Sequence, residues 1–257
     1  MKNERDDAGQ PSGNDRVSAF ITRLIRILVA VLLWPLFLPK AEGNREEPSD
    51  EGCILISNHQ HLIDAIFITY FYPTKRLCFV AKKELFQMML VGRIIKAFGA
   101  IPLDRSSTDI RASKLILSEI KKGKIIGVFI QGARVKLKDA ASVAPHSSIL
   151  NYAIRRGIPV IPVAVDPCYR PFGRPRYIFG DALRLTLKKG ESIDREEQDQ
   201  IAREVMRRIY AMADRSYEFE GADQCQALFD EKILVSPLKE ISIQTSNIDK
   251  ENQPGEV

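Results

Sequence analysis

The stretch Cys53-Ile54-Leu55-Ile56-Ser57-Asn58-His59-Gln60-His61-Leu62-Ile63-Asp64-Ala65-Ile66-Phe67-Ile68-Thr69-Tyr70-Phe71 decides how the chain is read. Its opening run, Cys53–Ser57, is short, apolar and rich in isoleucine, the signature of a buried strand. Residues 65–71 are apolar and aromatic without Gly or Pro, and read as a helix. The polar residues fall between the two. Functional groups in α/β domains collect beyond the carboxyl ends of strands, which is where this cluster stands. His59 and Asp64 lie five apart near a helix start. One carboxylate beside one imidazole is the arrangement of a general base with its orienting partner. The carboxylate fixes the tautomer and stabilises the imidazolium formed when a proton is taken. No Ser or Cys accompanies them in an obvious elbow, so the nucleophile is assigned to the substrate. Taken alone, a His-x4-Asp spacing is a weak signal.

A metal reading competes. His59-x-His61-x-x-Asp64 stands one residue away from the H-x-H-x-D-H pattern of binuclear zinc hydrolases, but such a site needs several more imidazoles. The chain has three histidines, which leaves only His146. The four cysteines, Cys53, Cys78, Cys168 and Cys225, are scattered without a C-x-x-C pair. No metal is expected, and His61 reads as a surface or supporting residue. Cys53 and Cys78 sit in apolar runs and read as buried thiols, a usage that suits a reducing compartment.

Outward from this stretch, short apolar runs alternate with helical patterns. Strands are expected at 53–57, 77–81, 100–103, 125–130, 158–165 and 176–179. Helices are expected at 65–71, at 84–98 with a break near Gly92, at 108–122 closed by Gly123, at 147–156 closed by Gly157, and at 196–213. Strands separated by helices predict an α/β domain with a mixed, largely parallel sheet flanked by helices. No repeat of 20–50 residues is present, which argues against a solenoid.

The ends differ from this body. Residues 1–16 are polar and charged and read as disordered. Residues 17–40 read as a membrane-anchoring helix: 27–38 carries no charged side chain, Arg23 and Arg26 share a helix face from which they can snorkel, and Trp34 and Lys40 suit an interface. The uncharged run falls short of the ~20 residues that span a bilayer comfortably, so a helix lying in the interface fits as well as a spanning one. A signal peptide is weighed against it because Ala41-Glu42-Gly43 loosely resembles a cleavage site; Glu4, Asp6, Asp7 and Asp15 speak against that. An ordinary buried helix is the third reading. Residues 41–51 read as a linker, 41–213 as the main domain, and 214–257 as an acidic, partly disordered extension. The net charge is +5, and residues 214–257 hold ten acidic and four basic side chains, so the remainder carries +11. A basic body calls for an anionic partner such as lipid head groups or a phosphorylated substrate. Nucleic acid would also meet the charge, but no motif supports it.

The blocks along the chain have an order. Asn58-His59-Gln60-x-x-x-Asp64 resembles the first motif of the 1-acylglycerol-3-phosphate acyltransferase family. Ala81-Lys82-Lys83-Glu84-Leu85-Phe86 resembles the family's segment after the second strand. Gly99-Ala100-Ile101-Pro102-Leu103-Asp104-Arg105 resembles its second motif. Phe129-Ile130-Gln131-Gly132-Ala133-Arg134 resembles the third, usually F-P-E-G-T-R, and Val160-Ile161-Pro162-Val163-Ala164 the fourth. The resemblance runs from about residue 18 to about residue 213.

It implies an enzyme of phospholipid biosynthesis that moves an acyl group from an acyl-CoA or acyl-carrier-protein thioester to the hydroxyl of lysophosphatidic acid, giving phosphatidic acid. His59 would be the catalytic base with Asp64 beside it. Lys82, Arg105, Gln131, Gly132 and Arg134 would bind substrate, the two arginines at the acceptor's phosphate. Guanidinium forks suit phosphate oxygens. The family reading needs no cofactor beyond the thioester donor and no metal. It places the protein on membrane lipids at the cytosolic face. Three positions and one segment depart from the pattern. Gln131 stands for Glu, Ile130 for Pro and Ala133 for Thr. Pro145-His146-Ser147-Ser148 stands where a Lys-x-Gly pattern is expected. These departures bear on acceptor identity, since His59 and Asp64 are intact. The alternative is an inactive homologue that binds lipid or acyl-CoA; the retained His59 and Asp64 favour the enzyme.

Overall fold

The computed structural model describes residues 13–48, 51–72, 74, 76–103 and 109–238. Strand β2 (Cys53–Ser57) is buried along its whole length. It lies parallel between β5 (Ile125–Phe129) and β6 (Val160–Asp166). β3 (Leu77–Lys82) extends the sheet parallel to β5, and β4 (Ile101–Leu103) parallel to β3. On the other side β7 (Arg176–Phe179) runs antiparallel to β6, and β1 (Lys40–Gly43) parallel to β7. β8 (Leu183–Leu187) meets β6 at one end and pairs antiparallel with β9 (Ile233–Pro237). The expected mixed, largely parallel sheet is present.

Alternation along β2 splits the core in two. Ile54 and Ile56 face helices α4 (Asp109–Lys121), α5 (Ser148–Arg156) and α6 (Arg195–Ala211). Cys53 and Leu55 face α2 (Asp64–Phe71), with Phe67, Ile68 and Phe71. A strand covered on both faces must be apolar at every position, which is why Cys53–Ser57 reads as a continuous run. Truncating Ile54 or Ile56 to Ala would cost about 2–5 kcal/mol. Helix α5 stops where expected, with Gly157 left-handed at φ 60°. Helix α6 starts on a reciprocal cap: Glu197 N donates to Asp194 and Asp194 N to Glu197.

Several expectations are corrected. The segment 84–98 breaks at Met88, between a 3-10 turn (Lys83–Gln87) and α3 (Met89–Ala97). Gly92 lies inside α3; a Cβ there would stand 2.5 Å from the Phe86 carbonyl oxygen, so this glycine permits a close approach and ends nothing. The segment read as a linker opens with the edge strand β1. Three of its four residues are exposed and two are charged, so no apolar pattern marked it. Beyond 213 the chain does not leave the domain: α7 (Ala222–Lys232) packs on α6, and β9 completes the β8 edge. The terminal segment from 239 lies outside the described residues, as do residues 1–12 of the segment read as disordered.

Helix α1 (Gly13–Phe37) begins within that segment and covers most of the expected anchor. It packs on α3 and seats Leu33 and Phe37 against the α2 face of the core. Phe20, Leu24, Ile27, Leu28, Val31 and Leu32 are exposed. Among the described residues no helix is long and apolar enough to cross a membrane. The expected anchor is therefore a helix without spanning capacity.

Candidate active site

The turn after β2 is tied to its neighbours by side chains acting as backbone. Asn58 donates from Nδ2 to Val165 O (2.8 Å) and accepts from Val165 N at Oδ1 (2.7 Å). Carrying one donor and one acceptor side by side, an amide extends the β2–β6 ladder past the point where the main chain turns away. The main-chain carbonyl of His59 accepts from Val135 N (2.9 Å), which ties the loop after β5 to the same turn.

Asp64, at the first turn of α2, is completely buried. Its Oδ2 accepts from Gln60 N (2.7 Å) and His61 N (2.8 Å) and lies 2.9 Å from His59 Nδ1. Its Oδ1 accepts from the Tyr169 hydroxyl. A carboxylate fully out of water needs such a set of donors to remain charged. With Nδ1 directed at Asp64, Nε2 is the nitrogen left to exchange a proton with something in the site; that tautomer follows from the hydrogen bonds.

The imidazole is held from its face as well. His59 stacks on Phe129 with centroids 3.9 Å apart and planes 13° from parallel, and Phe129 stacks on Phe79 at 5.1 Å. Tyr169 bonds Tyr177 at 3.0 Å and stacks against His61 at 4.5 Å. Burial, then the charge of Asp64, push the Tyr169 phenol far above the usual tyrosine range. Tyr177 shifts the same way for the same two reasons. Tyr169 therefore stays protonated as a donor to Asp64.

His59 opens onto a cavity of about 930 Å³. Its walls are chiefly apolar, from Leu32 and Leu33 of α1, Ile66 of α2, Ile94 and Ile95 of α3, and Phe98 just after it. Lys82, Gly132, Arg134 and His146 line it too, with Gly132 directly beside His146. A cavity with chiefly apolar walls and a few polar groups suits a chain-bearing ligand with a polar or charged head.

Of the residues singled out in the sequence, the fold brings His59, Lys82, Gly132 and Arg134 to this one cavity, with Asp64 directly behind His59. Lys82 and Arg134 are both exposed. Gln131 does not line it. It is buried, its Nε2 donates to Ala140 O (2.9 Å) and Val143 O (3.2 Å), and its Oε1 accepts from Tyr210 (3.2 Å). Burial raises the Tyr210 phenol to about 12, so it too remains a donor. Arg105 lies outside the described residues. Gly132 takes φ 68°, and a Cβ there would stand 2.6 Å from His146 Nε2. Tyr169 and His146 were not foreseen as site residues. No motif surrounds Tyr169; His146 was marked by its place in a departure from the family pattern and as the third histidine of the zinc reading set aside. Among the described residues no three His, Cys, Asp or Glu side chains gather as metal ligands.

A sequence profile described as acyltransferase matches residues 39–166, which takes in the His59–Asp64 turn, the cavity wall of β3 and α3, and Arg134. The chain belongs to this acyltransferase family. Within the family it is 32% identical over 92 residues to the 1-acyl-sn-glycerol-3-phosphate acyltransferase of Bacillus subtilis (strain 168), covering 35% of this chain and 46% of the relative. It is 31% identical over 113 residues to the enzyme of that name from Streptococcus pneumoniae, covering 43% of each. The matched part thus spans under half the length of either relative. The crystal structure of the 1-acyl-sn-glycerophosphate acyltransferase PlsC from Thermotoga maritima shares the acyltransferase fold. The TM-score is 0.54 at 21% identity, over 80% of this chain and 85% of that one.

Proposed function

We propose that this chain transfers a fatty acyl group from an acyl-CoA or acyl-carrier-protein thioester to the free hydroxyl of lysophosphatidic acid, forming phosphatidic acid. The observation that carries the reading is the His59–Asp64 pair, 2.9 Å apart, with His59 lining a large, chiefly apolar cavity. His59 Nε2 takes the proton of the acceptor hydroxyl as its oxygen attacks the thioester carbonyl. The tetrahedral intermediate collapses with cleavage of the C–S bond, and the imidazolium returns the proton to the departing thiolate. Asp64 holds the tautomer and stabilises the imidazolium between the two transfers. No acyl-enzyme forms and no metal takes part.

The acyl chain lies along the walls from α1, α2 and α3. Arg134 and Lys82 meet the acceptor's phosphate, together with Arg105 by the second-motif resemblance. Gln131 acts at one remove: its amide fixes the loop that carries Gly132 and Arg134. The name shared by the two bacterial relatives and the motif order support the lysophosphatidate acceptor. The exposed apolar side chains of α1 support attachment to a membrane surface, with the catalytic unit on the cytosolic side. A protein that only binds lipid has no use for a fully buried carboxylate directed at an imidazole, so turnover is the favoured reading.

The test is a thioester-loss assay with the purified full-length chain, a panel of lysolipids, and acyl-CoA beside acyl-carrier protein. The proposal expects loss that depends on lysophosphatidic acid with at least one donor. Loss driven equally by every lysolipid would remove the acceptor assignment. No lysolipid-dependent loss with either donor would overturn the transferase reading.

A further inference from the structure

Exposed apolar side chains occur singly on every soluble surface and then mean little. Three in a row are different. Met88, Met89 and Leu90, at the turn into α3, are 52%, 78% and 69% exposed. They are flanked in sequence by Leu85 and Val91, both on the cavity wall. Leu32 of α1 and Leu62 after β2 are also exposed, and both line the cavity. The knuckle 88–90 thus stands on the apolar rim of the cavity.

The knuckle is not a frayed loop. Gly92 N donates to Met88 O (2.7 Å), Met88 N donates to Leu85 O (3.3 Å), and the missing Cβ of Gly92 lets the Phe86 carbonyl close onto α3. The fold holds these three side chains out in water deliberately, at a cost the apolar effect would otherwise remove. Charge surrounds them. Met89, Arg93 and Lys96 follow one another at helical spacing on exposed positions of α3, and Lys82 and Lys83 are exposed before the turn. Glu84 is the one acidic residue between 82 and 97. An apolar tip flanked on both sides in sequence by exposed cations fits the boundary of a leaflet that contains anionic lipid.

We propose that the Met88-Met89-Leu90 knuckle inserts into the acyl region of an anionic leaflet and seats the cavity rim against it, as a second membrane contact separate from α1. A lipid then reaches His59 by moving along apolar surface from the leaflet into the cavity, without crossing water. The inference rests on the acyltransferase reading for its lipid substrate. Insertion itself requires no turnover, so the two fail separately.

The test uses the full-length chain carrying Trp34→Phe and Met89→Trp, so that position 89 bears the single indole. Vesicles are phosphatidylcholine alone or with phosphatidylglycerol, with bromine on the acyl chains. The expected result is blue-shifted emission and bromine quenching, stronger with phosphatidylglycerol. A second variant, Met89→Ser with Leu90→Ser, keeps Trp34 and should weaken vesicle binding by roughly tenfold or more, from two lost apolar insertions. Protein that sediments with vesicles while position 89 stays in water and the serine variant binds normally overturns the proposal. Failure to bind vesicles overturns it too, as does a dimer in solution whose interface covers 88–90. Quenching at position 89 without lysolipid-dependent thioester loss keeps the membrane contact and removes only the enzyme reading.

Discussion

His59 and Asp64 were legible because they are five residues apart in a polar turn after a buried strand. Tyr169, the other side chain on the Asp64 carboxylate, is 105 residues away from it in sequence. No local pattern links such positions; only the pairing of β6 beside β2 and the loop that follows β6 bring them together. Gln131 shows the opposite limit. Its motif position was plain, but its direction depended on Tyr210 of α6 and two carbonyls beyond the loop. We expect Tyr169→Phe to leave Asp64 Oδ1 without that donor, costing about 1–3 kcal/mol of stability. Transfer should fall roughly tenfold, the effect of about 1.4 kcal/mol of lost orientation, in kcat with KM for the acceptor unchanged. Tyr177→Phe, one bond further from the carboxylate, should change kcat little. Equal losses in the two variants, or a change in KM alone, would remove Tyr169 from the positioning of the pair.

Among the elements, those buried on both faces were read nearly to the residue. The strands missed lie at edges. β1 is short and polar, and β8 and β9 complete one another outside the central strands, where an alternating pattern such as Leu183-Arg184-Leu185-Thr186-Leu187 is easily passed over. β5 carries a feature that sequence could not reveal. A Cβ on Gly127 would stand 2.5 Å from the Phe79 ring. That ring stacks on Phe129, and Phe129 on His59. Gly127 thus gives Phe79 its place at the base of a stack that ends on the imidazole. Gly127→Ala should destabilise by about 1–3 kcal/mol through overpacking. Its kcat should fall by more than an equally destabilising change on the α5 side of the sheet produces, such as Ile154→Val, which lies outside the cavity wall. Unfolding in urea measures the first effect and initial rates the second. A kcat at the wild-type value in the folded Gly127→Ala protein would show that the stack does not set the ring's position.

For the whole molecule, the fold keeps several weak acids in their neutral form. Burial raises the Cys53 thiol from about 9 to about 12 and Tyr210 from about 10 to about 12, and raises Tyr169 and Tyr177 as well. Above pH 9 the unfolded chain releases these protons while the native chain retains them. The native state then binds more protons, so stability falls as pH rises. The full contribution is present below about pH 9 and declines between about 9 and 12, at up to about 1.4 kcal/mol per pH unit for each group. Urea midpoints at pH 8, 9.5 and 10.5 should decrease in that order, with a shallower decline in Cys53→Ala. A constant midpoint would contradict the burial of these groups. Residues 214–257 read as an acidic, partly disordered extension, yet α7 and β9 lie within the domain, because Phe229 and Ile233 join the α6 side of the core. Cys225, Phe229 and Ile233 stand four apart, a helical spacing that the acidic charge of the segment obscured. Both halves of the core converge on β2 and the turn that follows it. The most direct measurement of the whole account is therefore the initial rate of lysophosphatidate-dependent thioester loss in His59→Ala, beside its urea midpoint. We predict a fall of about 10²–10⁴-fold with the midpoint near that of the unaltered chain. Near-normal turnover in the folded variant would contradict the assignment of His59 as the base.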